Sequence, residues 1–153
     1  MKFDDYRLSK EVKKNLRDMD FRRPTDIQYK CIPAIQRGED LLAIAQTGTG
    51  KTAAFVIPVI DKLQQIKYKS KNNNSVIRSI VVVPTRELAQ QITQVFNRIG
   101  KNTKVKALCV YGGVGQDYQI NKLIEGMDIV VSTPGRMFDL VSQGYLKLDR
   151  IET

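Results

Sequence analysis

The sequence predicts an α/β domain in which a parallel β-sheet is covered by helices on both faces. Short apolar segments rich in β-branched residues recur along the chain, as in strands that are buried on both sides. Longer amphipathic segments separate them, which is the alternation that right-handed strand–helix–strand crossovers produce. The composition, 42% hydrophobic and 27% charged over 153 residues, fits one soluble globular domain and excludes a disordered or collagen-like chain.

The elements follow from this pattern in chain order. Two helices are expected first, at 9–19 and 25–36, with Ser9 as an N-cap and Gly38 as a C-terminal stop. Four strands and four helices then alternate. The strands are expected at 41–45, 80–83, 107–111 and 129–131, and the helices at 51–67, 86–99, 115–125 and 135–143.

One domain of residues 1–153 is therefore expected. Its first part, residues 1–38, holds the N-terminal helices, and residues 39–153 hold the strand–helix units. The polar, basic stretch 68–78 (YKSKNNNSVIR) is too short for a domain linker and is predicted to be an exposed loop.

Charge gives the first indication of function. The chain has 25 Lys and Arg against 16 Asp and Glu, a net charge of +9. Such an excess attracts phosphate backbones, so nucleic acid is one expected partner, and a basic protein with no such partner is the alternative.

Composition also excludes several kinds of site and location. The chain has no His, which excludes Ser–His and Cys–His dyads and His-bound metals. Cys31 and Cys109 lack a CxxC spacing and are expected to be reduced core residues. The longest apolar stretch, 53–60, is far shorter than the ~18 residues that a membrane span needs, and no signal peptide opens the sequence. A cytoplasmic protein without membrane contact is expected.

A phosphate-binding loop is predicted at residues 45–52 (AQTGTGKT), between a predicted strand and a predicted helix. Its glycines let backbone N–H groups turn toward phosphate oxygens, and the positive end of the next helix faces the same anion. Lys51 is placed to reach the β and γ phosphates, and the Thr52 hydroxyl to bind Mg²⁺. Ala45 stands where the strict pattern has Gly, so the loop is a variant.

Residues 20–28 (DFRRPTDIQ), taken together with this loop, resemble the Q motif of the DEAD-box RNA helicases. The resemblance continues through 84–91 (PTRELAQQ), which resembles motif Ia, the doublet Gly112-Gly113, and 133–136 (TPGR), which resembles motif Ib. It covers residues 3–136 and is closer to bacterial members. It implies a RecA-like fold of the P-loop NTPase class, ATP and Mg²⁺ as cofactors, and RNA as partner.

The resemblance also implies roles for individual residues. Gln28 is expected to recognise N6 and N7 of adenine, and Phe3 to stack on the base or, alternatively, to pin the N-terminal arm to the core. Thr25 is expected to cap the helix of Gln28, while Asp20 stands where the family usually has Gly and a positive φ. The residues expected to bind ATP are Phe3, Gln28, Gln46, Thr47, Gly48, Thr49, Gly50, Lys51 and Thr52; Lys51 and Thr52 are the catalytic candidates and Thr52 the metal ligand.

RNA contacts are implied at the ends of the predicted strands. Arg86 and Arg136 each stand near a helix N-terminus after a strand, where open α/β sheets bind ligands. Contacts there address the backbone, so sequence-independent binding is expected. Structural arginines that tether loops are the alternative. The full set implied is Pro84, Thr85, Arg86, Gly113, Thr133 and Arg136.

Hydrolysis requires a buried strand that ends in a carboxylate, and the 153 residues contain no apolar run that ends in an acidic pair. By the resemblance, the Asp-Glu-Ala-Asp motif, the Ser-Ala-Thr motif and a second RecA-like domain lie beyond residue 153. The sheet is thus expected to be incomplete at its C-terminal end, and these residues alone to be inactive. Three functions remain open: part of an ATP-dependent RNA helicase, a DNA helicase or translocase domain, and a non-catalytic nucleotide- or RNA-binding module.

Overall fold

The computed structural model describes residues 1–70 and 75–153. A short 3₁₀ helix, Phe3–Asp5, is followed by six α-helices and three β-strands in these ranges. In chain order they are α1 (Lys10–Asp18), α2 (Asp26–Gln36), α3 (Lys51–Lys69), β1 (Ser79–Val82), α4 (Arg86–Ile99), β2 (Ala107–Val110), α5 (Asp117–Glu125), β3 (Ile129–Ser132) and α6 (Pro134–Ser142).

The chain divides into two compact units. The helical unit comprises residues 1–70 and 98–104, and the sheet unit comprises the described part of 71–97 together with 105–153. The expected single domain of residues 1–153 stays a prediction.

The core of the helical unit forms where α2 packs along α3 and α1 contacts α3. Each helix contributes fully buried aliphatic side chains, such as Leu16 from α1, Ile32 from α2 and Ile57 from α3. The segment 98–104 is tied to these helices by side-chain amides. Asn15 Nδ2 donates to the carbonyl of Ile99 at 2.8 Å, and the oxygen of Gln64 accepts the backbone N–H of Lys104 at 2.9 Å.

The sheet unit is built on three parallel strands in the order β1-β3-β2. Ser79 of β1 and Ala107 of β2 are both in register with Ile129 of β3. The central strand β3 is buried along its whole length, which fits its sequence IVVS, in which no residue is charged or large and polar. Its Val130 packs with neighbouring aliphatic side chains into one core cluster, whose other buried members are Ile77, Leu108, Val110, Leu140 and Leu146.

Most predicted elements are confirmed to within one or two residues at each end. The expected N-cap Ser9 accepts the backbone N–H of Val12, and Gly38 follows α2 with a φ of 76°. Within the predicted loop at 68–78, helix α3 continues to Lys69 and residues 75–78 have no regular structure. The remainder of that prediction, at 71–74, lies outside the described residues.

The predicted strand at 41–45 is wrong. These residues have no regular structure, and none of the three described strands pairs with them. Leu42 and Ile44 are 87% and 86% exposed. A strand exists only through hydrogen bonds to a neighbour, and an apolar sequence without such a neighbour remains extended and solvated.

Candidate nucleotide and nucleic-acid sites

The predicted phosphate loop forms a turn directly before the longest helix of the described chain. Gly48 and Gly50 have φ values of 81° and 83°, a left-handed conformation that favours glycine. Gly50 is the N-cap of α3, whose 19 residues begin with Lys51. The first backbone N–H groups of a helix have no partner within it, and the helix dipole adds positive potential there. The loop therefore has the backbone geometry that binds phosphate groups elsewhere.

Two side chains of the loop donate hydrogen bonds to backbone carbonyls of the same loop. Lys51 Nζ donates to the carbonyl of Ala45 at 2.7 Å, and Thr49 Oγ1 donates to the carbonyl of Gln46 at 2.7 Å. Lys51 is exposed and Thr52 is half-buried. The ammonium group thus lies across the mouth of the loop, where a phosphate oxygen would replace a neutral carbonyl as its acceptor.

Gln28 joins the predicted Q motif directly to the phosphate loop. Its side chain is 3% exposed, and its Nε2 donates to the carbonyl of Gly50 at 3.2 Å. Its Oε1 accepts the backbone N–H of Thr25 at 3.0 Å, so these two residues form the capping box of α2. Thr25 Oγ1 also donates to the carbonyl of Thr49 at 2.8 Å. The expected helix cap is confirmed, and two more contacts hold the loop against α2.

Two features favour glycine at residue 50. Its φ of 83° would strain any other residue, and a Cβ there would displace the Gln28 amide from its bond to the loop. Sequence reasoning assigned Gly50 to phosphate binding and Gln28 to adenine. The bond between them could not be found from spacing, because the residues lie on separate elements.

Phe3 is 3% exposed and packs in an aromatic cluster at the N-terminus. Its ring centroid lies 6.0 Å from that of Tyr6 and 6.2 Å from that of Phe21. This packing supports the alternative in which Phe3 pins the N-terminal arm, and stacking on adenine stays a prediction. In the adjoining turn, Asp20 adopts the expected positive φ, at 58°, and its carboxylate pairs with Arg22 at 2.8 Å.

The sheet unit brings the other motifs to one edge. Its three strands are parallel, so their carboxyl ends meet at the same side of the sheet. The residues that follow them there are Pro84, Thr85 and Arg86 after β1, Gly112 and Gly113 after β2, and Thr133 to Arg136 after β3. Two helices, α4 and α6, begin at this edge and present backbone N–H groups. These motifs thus lie at the carboxyl ends of parallel strands, where the sequence placed them, and their contacts with RNA stay a prediction.

Two arginines at this carboxyl edge contact neighbouring residues, one through an aromatic ring and the other through hydrogen bonds. Arg86 is exposed, and its guanidinium carbon lies 4.6 Å above the ring centroid of Tyr111. Arg136 is half-buried and donates from Nη1 to Oε1 of Gln119 at 3.0 Å and from Nη2 to the carbonyl of Val114 at 2.8 Å. Sequence reasoning missed Tyr111 and Gln119, for which no motif or spacing gave a signal.

Three titratable groups outside these sites have pKa values that burial raises. Burial raises the pKa of the Cys31 and Cys109 thiols, so both stay protonated near neutral pH. Both are free cysteines, as expected; Cys31 is buried in the core, whereas Cys109 is only half-buried. Burial also raises the pKa of Asp61, whose carboxylate accepts the backbone N–H of Ser9 at 2.7 Å and the amide of Gln65 at 2.8 Å.

Residues 1–70 and 75–153 contain neither a candidate metal cluster nor a candidate membrane-spanning helix. No group of three or more Cys, Asp or Glu side chains in these ranges could hold a metal ion. None of the described helices combines the length and the apolar character needed to cross a bilayer.

The fold and these sites define an α/β protein with a phosphate-loop sequence at the start of a long helix and a second, arginine-bearing site at the carboxyl edge of a parallel sheet. More particularly, the chain belongs to the DEAD/DEAH box helicase family, whose family model matches residues 25–153.

Curated relatives agree with this assignment. The DEAD-box ATP-dependent RNA helicase RhpA of Helicobacter pylori is 41% identical over 149 residues, 97% of this chain and 28% of the relative. The ATP-dependent RNA helicase CshA of Listeria monocytogenes is 41% identical over 152 residues, 99% of this chain and 28% of the relative. The chain thus spans a little over a quarter of the length of these proteins.

Solved structures confirm the fold class, an α/β domain of the RecA-like type. A DEAD box protein from Methanococcus jannaschii superposes with a TM-score of 0.85 at 37% identity, covering 99% of this chain and 39% of that one. A hypothetical ATP-dependent RNA helicase from Sulfolobus tokodaii superposes with a TM-score of 0.77 at 37% identity, covering 91% of this chain and 38% of that one.

Proposed function

We propose that this chain is the ATP-binding and RNA-backbone-binding part of an ATP-dependent RNA helicase, which couples ATP hydrolysis to the unwinding or remodelling of RNA duplexes. The observation that carries the proposal is the phosphate loop at the start of α3, held to the Q motif by the bond from Gln28 to Gly50. The family membership supports the same function. A cytoplasmic location is proposed with it, because the free thiols of Cys31, which is buried, and Cys109, which is half-buried, suit a reducing compartment.

The triphosphate is proposed to bind to the loop backbone and to Lys51. The β and γ phosphates would replace the carbonyl of Ala45 as the hydrogen-bond acceptor of the Lys51 ammonium. An anionic acceptor binds an ammonium group more strongly than a neutral acceptor does. The backbone N–H groups that surround the phosphates belong to Gln46, Thr47, Gly48, Thr49 and Gly50. The loop fits this role because residue 48 has no side chain and no atom of the described chain beyond its neighbours lies near the position of a Cβ there, so the backbone is open to a phosphate group.

Mg²⁺ is proposed to bind beside the phosphates, with the hydroxyl of Thr52 as its protein ligand. Mg²⁺ prefers oxygen ligands and is commonly held by few protein groups together with substrate phosphates. Thr52, in the first turn of α3, supplies such an oxygen. When bound, the ion neutralises charge that develops on the phosphates. The sequence contains no apolar run that ends in an acidic pair, so we propose that residues 1–153 do not hydrolyse ATP on their own.

Adenine recognition is proposed for Gln28, with Phe3 as the stacking residue. Each polar atom of the Gln28 amide already has one partner, Thr25 N–H for the oxygen and the Gly50 carbonyl for the nitrogen. An amide can donate two hydrogen bonds and accept two, so one donor and one acceptor site remain. Adenine offers the matching pair, an amino group at N6 and an acceptor at N7.

RNA is proposed to bind at the carboxyl edge of the sheet unit through phosphate and sugar groups. Arg86 and Arg136 supply charge, and Pro84, Thr85, Gly113 and Thr133 supply backbone groups near the N-termini of α4 and α6. Such contacts carry no information about base sequence. The site should therefore accept single-stranded RNA of any sequence.

Single-stranded RNA should bind weakly, with an affinity that falls as salt rises and differs little among unrelated sequences. Replacing Arg86 with alanine in the intact protein should weaken binding about 10- to 150-fold, which corresponds to the roughly 1.5–3 kcal/mol of a hydrogen bond to a charged group. It should also reduce the slope of log affinity against log salt by about 0.7. Fluorescence anisotropy with labelled oligonucleotides across a potassium chloride series measures both quantities.

The matched control for this experiment is Arg98→Ala, an exposed arginine in the last turn of α4. It removes the same charge away from the carboxyl edge and should leave the affinity near that of the native protein. Equal losses for the two variants, or strong discrimination among unrelated RNA sequences, would contradict a backbone site at Arg86.

A further inference from the structure

We propose that Gln119 is a positioning residue for RNA binding, which acts by holding the Arg136 guanidinium and the Gly112-Gly113 turn in one arrangement. The proposal rests on the RNA-binding function proposed above. Gln119 belongs to none of the family motifs identified in the sequence and lies two residues into α5. Its side chain is nevertheless 4% exposed, which is unusual for a glutamine.

Both ends of the buried Gln119 amide are hydrogen-bonded. Its Oε1 accepts Nη1 of Arg136 at 3.0 Å, and its Nε2 donates to the backbone carbonyl of Tyr111 at 3.2 Å. An ionised carboxylate could not make the second bond and an apolar side chain could make neither, whereas an amide both accepts and donates. The residue type therefore matches a role as a bridge between two groups.

The hydrogen bonds of Gln119 and Arg136 hold the residues on both sides of the glycine doublet. Tyr111 directly precedes Gly112-Gly113 and is bound by Gln119, while Val114 directly follows and accepts Nη2 of Arg136 at 2.8 Å. Gly113 has a φ of 80°, a conformation that the flanking bonds help to fix. The proposed backbone contact at Gly113 and the proposed charge at Arg136 are thus set by one network.

The same network reaches the other arginine. The Tyr111 ring, whose backbone Gln119 holds, lies beneath the Arg86 guanidinium at 4.6 Å, and its hydroxyl accepts Nε2 of Gln90 at 3.2 Å. Of the five N–H donors of Arg136, the contacts within the described part of the chain use two, so the others remain for phosphate oxygens. A guanidinium held in place beforehand loses less side-chain freedom when RNA binds.

The test is a double-variant cycle in the intact protein with Gln119→Leu, Arg136→Ala and both together. The probe is a labelled oligouridylate titrated across a potassium chloride series. Leucine keeps the approximate volume but removes both hydrogen bonds. We expect Gln119→Leu to weaken binding about 3- to 10-fold and to reduce the salt slope by up to about 0.7, toward that of Arg136→Ala, although no charge is removed. Adding Gln119→Leu to Arg136→Ala should leave the salt slope unchanged and should weaken binding less than Gln119→Leu does alone, because only its bond to the Tyr111 carbonyl is then left to lose.

The salt slope separates positioning from a role in stability alone, because a loss of folded protein lowers the active fraction without changing the slope. Gln143→Leu, the same replacement at an exposed residue that follows α6, is the matched control and should bind as the native protein does. Gln119→Asn keeps an amide in the core but is too short to reach both partners. It should reproduce the change in slope if the leucine variant fails to fold.

Three outcomes overturn the proposal. In the first, folded Gln119→Leu or Gln119→Asn keeps the native affinity and slope. In the second, the effects of Gln119→Leu and Arg136→Ala add in full, which means that the two residues act independently. In the third, Arg136→Ala itself leaves RNA binding unchanged, which refutes the proposed RNA site and this inference with it. Only the first two outcomes refute the positioning role while leaving the proposed function standing.

Discussion

Replacing Lys51 with alanine is expected to weaken ATP binding by about 1.5–3 kcal/mol, or about 10- to 150-fold, the usual range for a hydrogen bond to a charged group. In the structure the Lys51 ammonium lies 2.7 Å from the carbonyl of Ala45, across the mouth of the loop. Phosphate oxygens approaching the start of α3 would meet this group first. Its removal leaves the backbone N–H groups in place, so binding should weaken without being abolished.

Equilibrium titration of the intact protein with ATP and with adenosine measures this effect. The loss should be large for ATP and small for adenosine, because adenosine has no phosphate for Lys51 to bind. Lys69→Ala, in the last turn of the same helix, removes one exposed positive charge and should bind both compounds as the native protein does. An unchanged affinity of Lys51→Ala for ATP would show that this loop is not the phosphate site.

Gln28→Ala in the same titration tests the adenine half of the site. The native protein should prefer ATP to GTP, because guanine carries O6 where adenine carries an amino group. The variant should lose this preference. Because Gln28 also bonds to Gly50, some loss of triphosphate affinity is expected as well. A base preference that survives the substitution would contradict adenine recognition by Gln28.

Residues 1–153 produced on their own are expected not to form a stable monomer. Leu42 and Ile44 are almost fully exposed, and Leu41 is 46% exposed. Together with Ile27 and Cys31 of α2, the segment 41–45 lines an open groove of about 560 Å³. Burial of one such side chain contributes about 1.5–3 kcal/mol to the free energy of folding. The contribution that is missing while three of them stay exposed is comparable with the roughly 5–15 kcal/mol that stabilises a typical domain.

Sedimentation and thermal melting of the purified 153 residues test this expectation. Aggregates or strand-exchanged oligomers should form, and the double variant Leu42→Ser, Ile44→Ser should reduce their amount. Ile124→Ser, at an exposed apolar residue of α5 in the sheet unit, is the control and should not reduce it. A monomer that unfolds cooperatively at the temperature of an ordinary mesophilic domain would refute this expectation.

The three strands of the sheet could be predicted because their apolar, β-branched sequences indicate that both faces of the strand are buried. The segment IVVS of β3 is apolar or small at every position, and the strand is buried at every position. The segment at 41–45 has the same apolar character, yet it has no regular structure. An apolar pattern states that a segment favours burial, but pairing depends on a neighbouring strand that the pattern does not contain.

The candidate sites were predictable to the extent that they depend on local backbone. Glycines at 48 and 50, a lysine and a helix start are consecutive in sequence, so their spacing fixes their geometry. The bonds from Gln28 to Gly50 and from Gln119 to Arg136 join residues 22 and 17 positions apart. Spacing carries no information on such contacts, because they depend on how separate elements pack. The burial of Phe3 beside Phe21 was foreseen only as an alternative for the same reason.

The rate of ATP hydrolysis by the intact protein, measured by phosphate release, tests the proposed helicase function most directly. It should be measured alone, with single-stranded RNA, and with duplex DNA of equal length. RNA of unrelated sequences should raise the rate to similar extents, and duplex DNA should leave it near the basal value. Equal stimulation by duplex DNA would favour a DNA helicase or translocase. The absence of phosphate release under all three conditions would favour a binding module that does not turn over ATP. Either result would contradict the proposed function.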